Sequence, residues 1–211
     1  MVIFKPPENF YSPPDGNGVR QLLRRHLTEW SVTGSNATSQ FSGAQQAARN
    51  ARLTKEVDII FDTGGSALAR TTTRDYDPTY QFSTGVNETA INEFDYVVLD
   101  QTTAQTIAIG SVPTGSLLRR TEMTNLDATN AGYRDRNLLG LVSSSTVKDA
   151  AGNIVAQSSI GYDESSLFTY GSVTNWTDPG TSVRGNATSK SNWLNFNGST
   201  MSTFPLRGIY I

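Results

Sequence analysis

From Lys55 onward the chain is cut into short runs of β-branched, aromatic and small residues, each closed off by turn residues. The runs are Val57–Phe61, Ala67–Tyr76, Phe94–Leu99, Thr106–Val112, Leu138–Val147 and Asn153–Tyr162. A parallel sheet needs crossover connections of about a dozen residues or more, usually helical. No segment between these runs has that length together with a helical apolar period, so the pattern predicts consecutive antiparallel hairpins.

Composition supports the same class. Hydrophobic residues are 36% and charged residues 17%, while Ser, Thr and Asn together reach roughly 30%, well above ordinary usage. A chain that is polar without being charged lacks the Glu, Lys, Arg and Ala of coiled coils and long surface helices. A net charge of -2 argues against nucleic-acid binding, because counterion release needs a basic face. There is no Cys, which removes disulfides, thiolate zinc sites and cysteine nucleophiles. Apolar runs fall far short of the ~20 residues of a membrane helix. The opening MVIFKPPENFYSPPDGN has no apolar h-region after Lys5, so neither a signal peptide nor membrane insertion is expected.

Residues 1–18 hold Pro6-Pro7, Pro13-Pro14 and Asp15-Gly16-Asn17-Gly18, a density of breakers that reads as a lead-in, with 19–211 as the hairpin region. At most one or two short helices are expected. Leu23, Leu27 and Trp30 share a helical face within Val19–Val32, and Ser42–Arg52 places four alanines behind a capping Ser.

An internal repeat is the most informative feature. Asp62-Thr63-Gly64-Gly65, a strand-like run and Tyr76-Asp77 lie over Asp149-Ala150-Ala151-Gly152, a second run and Tyr162-Asp163. Asp opening a type I turn accepts a backbone N–H, and Gly at the fourth position takes the positive φ that starts a bulged return strand. Gly185-Asn186 echoes Gly152-Asn153 as a weaker third copy, and Leu-Leu-Arg-Arg recurs at Leu22–Arg25 and Leu117–Arg120.

Over residues 55–211 this pattern resembles the RHS or YD-repeat family, whose consensus is a Tyr-Asp-x-x-Gly-Asn/Arg turn followed by a strand. The copies depart from it: no Tyr precedes Asp62 or Asp149, and no Gly stands three residues after Asp77 or Asp163. The resemblance implies an all-β fold in which repeated antiparallel hairpins form an extended, curved open sheet of RHS-shell type. It further implies a non-catalytic wall segment of a secreted or surface-displayed protein, partnered by the remainder of the same polypeptide and needing no cofactor. The family's autoproteolytic motif is not carried over, since Asp178-Pro179-Gly180 stands in a different context.

Two other classes compete. Trp176 and Trp193 are candidates to stack on pyranose rings in a carbohydrate-binding β-module with a carbohydrate or cell-surface ligand; the competing reading is cross-strand packing. Ile60-Phe61-Asp62-Thr63-Gly64 is similar to the active-site loop of aspartic proteases, but one copy would require a homodimer. His26 is the only histidine and no G-x-S-x-G elbow accompanies it, so a serine triad finds no support. The acidic residues Asp163, Glu164 and Asp178 lack calcium-loop spacing. Five N-x-S/T sequons, at Asn36, Asn87, Asn175, Asn186 and Asn197, read as loop positions.

Overall fold

Val57, Ile59 and Phe61 alternate with Asp58 and Ile60, and Ala67, Ala69 and Thr71 alternate with Leu68 and Arg70; this period of two sets the inner and outer faces of a sheet. The computed structural model describes residues 2–33, 49–62, 64–77, 87–164, 183–193 and 201–205. The chain divides into two units, Met1–Val86 with Ala90–Arg120, and Asn87–Thr89 with Thr121–Ile211.

The first unit is built on β1 (Val2–Phe4), β2 (Glu8–Tyr11), β3 (Leu22–Thr33), β4 (Arg49–Phe61), β5 (Ser66–Tyr76) and β7 (Val97–Asp100). It also takes most of β6 (Glu88–Phe94) and the start of β8 (Leu117–Asn125). β1 and β2 both pair antiparallel with β3, which pairs with β4, and β4 with β5. β6 and β7 follow on β5. The register sets Leu27 opposite Val57, Val57 opposite Thr71, Phe61 opposite Ala67, and Ala67 opposite Leu99. These side chains are buried on one face.

The chain after β7 closes over that face. Helix α1 (Gln101–Thr106) and a 3₁₀ turn at Ile109–Ser111 lay Ala104, Ile109 and Val112 against it. Small residues at 67, 69 and 104 let the two layers approach closely. Two cations satisfy the carbonyls of this covering segment. Arg25, buried, donates to the Ala104 and Ile107 carbonyls at 3.0 Å each, and Lys55 to that of Ile109 at 3.1 Å. Burial lowers the Arg25 pKa.

The second unit holds the end of β8, then β9 (Val142–Asp149), β10 (Ile154–Tyr162), β11 (Ala187–Trp193) and β12 (Met201–Pro205), each hydrogen-bonded to the next. Helices α2 (Leu126–Thr129) and α3 (Ala131–Asp135) stand between β8 and β9. Its described interior is polar: Asp127, fully buried, accepts from the Asn87 side-chain amide at 2.7 Å and from the Gly140 N–H at 3.3 Å. Asn87, in the loop just before β6, is therefore a buried amide.

The mainly β, antiparallel and open architecture is as expected; several local readings are not. Val19–Val32 is strand from Leu22 onward, not helix. Its period was disguised because Arg25 occupies the core face, and because register shifts at Glu29/Trp30 and Ser31/Thr33 break the alternation. Arg49–Arg52 belong to β4, and the remainder of the expected Ser42–Arg52 helix lies outside the described residues. Phe94–Leu99 is interrupted at Asp95, whose N–H donates to the Ser116 carbonyl. Thr106–Val112 is no strand: Asp100 caps α1 by accepting the Thr103 N–H at 2.9 Å, and the following isoleucines pack on the sheet. The described chain thus has three short helices, where one or two were expected elsewhere. The proline-rich first eighteen residues carry β1 and β2, short edge strands that such breakers permit.

Ile59 has no exposed surface and lies at the centre of the apolar cluster. Ile59→Ala is expected to destabilise the first unit by about 2–5 kcal/mol, through lost transfer energy and the cavity left behind. Urea unfolding monitored by circular dichroism checks this, with Ile60→Ala, on the exposed face, expected to cost much less.

Candidate functional site

The repeat residues occupy equivalent places in two hairpins, one in each unit. At the β9–β10 tip, the Asp149 carboxylate accepts the N–H groups of Ala151 (2.9 Å) and Asn153 (2.8 Å) and the Asn153 side-chain amide (3.0 Å). The Gly152 N–H returns to the Asp149 carbonyl at 3.0 Å, with Gly152 at φ +86°. The side-chain and backbone bonds from Asn153 are the main reason the Asp149 carboxyl sits below its usual range. At the β4–β5 tip, the Asp62 N–H donates to Ser66 at 3.1 Å and Gly65 has φ +85°; Thr63 is outside the described residues.

A third turn of this kind lies where the sequence showed only breakers. Between β2 and β3, Asp15 accepts the N–H groups of Asn17 and Val19 at 2.8 Å each, and Gly18 has φ +78°. The sequence carries the signal as Asp-x-x-Gly at 15–18, with no Tyr-Asp pair following it at strand length. Gly185-Asn186 plays another part, as a donor to Asp163.

The Tyr-Asp tyrosines close the opposite ends of the hairpins. Tyr76, ending β5, donates its hydroxyl to the Leu53 carbonyl on β4 at 2.9 Å; Tyr162, ending β10, donates to the Val142 carbonyl at the start of β9 at 3.0 Å. Continuing the registers Lys55↔Thr73 and Ser144↔Ser159 shows that the two bonds are equivalent. In each, the tyrosine reaches diagonally to the residue opposite its own predecessor. The Arg52 guanidinium also lies 5.7 Å from the Tyr76 ring centre.

Asp163 ties the end of β10 to the approach to β11. At φ +52°, its carboxylate accepts the N–H groups of Gly185 (2.8 Å), Arg184 (2.9 Å) and Asn186 (3.1 Å) and the Tyr133 hydroxyl (3.0 Å). Burial alone would raise its pKa; the backbone donors and Tyr133 outweigh burial and hold the carboxyl below its usual range. Tyr133 is itself pushed up to about 12 by burial and by the adjacent carboxylate. Asp77, the partner position in the first unit, is half-buried just beyond β5.

The other candidates are dispersed. Trp193 is half-buried at the end of β11, opposite Met201, and Trp176 lies outside the described residues. Asp62 is exposed at its hairpin tip. His26 lies on the outer face of the first unit, its Nδ1 3.0 Å from Asp58, in a row of charges that also pairs Arg24 with Asp58 and Arg74 with Glu56. Of the four Leu-Leu-Arg-Arg arginines, Arg25 is buried, Arg24 and Arg119 pair with carboxylates on adjacent strands, and Arg120 reaches across β6 to Asp75 on β5. Among the described residues no cluster of three or more His, Asp or Glu side chains is arranged to hold a metal. Comparison with protein-family models, with curated proteins and with solved structures returns no match.

Tyr162→Phe and Tyr76→Phe, which remove one hydroxyl–carbonyl bond each, are expected to cost about 0.5–1.5 kcal/mol in equilibrium unfolding. Gly152→Ala, forced into the left-handed region, is expected to cost about 1–2 kcal/mol. The Asp163–Tyr133 pair also gives stability a defined pH dependence. A depressed carboxyl stabilises the fold above its ordinary value of about 4, and that contribution is lost as pH falls through the lower folded value. A phenol raised to about 12 stabilises fully below its ordinary value of about 10, and the contribution is lost as pH rises through about 12. Thermal melts against pH check both limbs, and Asp163→Asn is expected to flatten the acid limb.

Proposed function

We propose that the chain is a non-catalytic structural segment of an RHS/YD-repeat β-shell, one stretch of wall in a secreted or surface-displayed protein. The carrying observation is the hairpin built twice, with an Asp-x-x-Gly tip and a tyrosine clasp in equivalent register. Such a unit extends a sheet by repetition and needs no chemistry of its own. The partner is the remainder of the same polypeptide, because each hairpin in a repeat array is completed by its neighbours.

Two further features support this reading. Among the described strands the sheet ends at β1 and β12, and an end strand is a template for further pairing. The outer face of the first unit also carries a cross-strand row in which Phe10, Ile60, Leu68 and Val98 are exposed, interrupted only by Arg24. An exposed apolar row of this kind is what a wall segment presents to the layer that continues it.

At a net charge of -2, repulsion does little to keep open edges apart. Concentration-dependent association is expected in sedimentation velocity over a hundredfold range. Lysines at the two edges, Val2→Lys and Thr203→Lys, are expected to suppress it. A sharp monomer throughout that range would count against the wall reading.

A further inference from the structure

One cleft differs in chemistry from the rest of the first unit. It has a volume of about 530 Å³, within the range of small-molecule sites, and it opens where the end of β2, the start of β3, the β4–β5 tip and α1 meet. Leu22, Leu23 and the buried Phe61 supply its apolar lining, and the half-exposed Tyr11 adds an aromatic ring. With them stand Asn9, Arg20, Gln21, Gln101 and Gln105. The Gln101 N–H donates to the Gly65 carbonyl at 3.3 Å, which fixes α1 against the hairpin tip. Gln101 and Gln105, four apart on α1, project from the same helix face.

The polar groups on the outer face of this unit are spent on one another, as in Arg24–Asp58, Arg70–Glu93 and Arg74–Glu56. The side chains of Asn9, Arg20, Gln21, Gln101 and Gln105 make no hydrogen bond to any described residue. Four of the five are neutral amides, each able to donate and accept, and the lining holds one cation, Arg20, and one carboxylate, Asp62. A set with no net charge does not select an anion or a cation. An aromatic ring, an apolar lining and several two-way amides match a ligand that presents a C–H face and a rim of hydroxyls.

We infer that this cleft is a binding site for a neutral saccharide, held by stacking on Tyr11 and by hydroxyl contacts to Asn9, Gln21 and Gln105. The inference is independent of the wall reading, since it concerns one end of one unit. It also places saccharide recognition away from Trp193.

The test is a printed array of neutral and anionic oligosaccharides probed with the full chain, followed by calorimetric titration with the strongest neutral binder. Tyr11→Ala is expected to weaken binding at least tenfold, and Gln105→Ala about three- to tenfold, with unchanged urea unfolding and with Trp193→Ala binding as the parent does. Because Gln105 is exposed on α1, its variant keeps the test open if Tyr11→Ala fails to fold. A flat array with folded protein, binding restricted to anionic glycans, or binding that survives the cleft substitutions but is lost in Trp193→Ala would each overturn the assignment.

Discussion

Hairpin register is the constraint on which both units depend, and it is held at two points. A carboxylate or backbone turn with a left-handed glycine fixes the tip, and a tyrosine hydroxyl on the facing strand's carbonyl fixes the base. Side chains in a strand alternate, so a slip of one residue exchanges the two faces of the sheet. In the first unit it would turn Val57, Ile59 and Phe61 outward and bring Asp58 into the core. Ala67 and Ala69 would likewise give their places to Leu68 and Arg70. Apolar burial stabilises the correct register, while tip and base specify it.

With register set, the first unit needs only one covering layer. The segment after β7 folds as α1 and a 3₁₀ turn and pairs with no strand, so carbonyls at the ends of these turns require donors from elsewhere. Arg25 and Lys55 supply them from the sheet, which is why an arginine sits on the core face among aliphatic neighbours. The opposite face solves a different problem. Its charges pair across strands and leave Phe10, Ile60, Leu68 and Val98 in the open. Among its described residues, the second unit is held by polar clasps at the buried Asp127 and the half-buried Asp163. These contacts are specified by hydrogen-bond geometry.

The sequence by itself determined the class of the fold and the places of its turns. Short β-branched runs without a crossover helix leave antiparallel pairing as the arrangement that satisfies their backbone, and Asp-x-x-Gly encodes its turn locally, through one carboxylate and one residue free to take positive φ. That is why the tips at 62–65 and 149–152 could be read before any coordinates, and why 15–18 was equally readable. The tertiary structure alone decided what depends on partners distant in the chain. Val19–Val32 looked helical because Arg25 breaks the alternation, and only the carbonyls of Ala104 and Ile107, some eighty residues later, explain why a charge is tolerated there. The role of Tyr162 required the carbonyl of Val142, that of Asp163 the N–H groups of 184–186, and the amide-lined cleft required four separate segments to meet. Local chemistry writes turns and periods into a sequence; long-range hydrogen bonds and shared cavities exist only once the chain has folded.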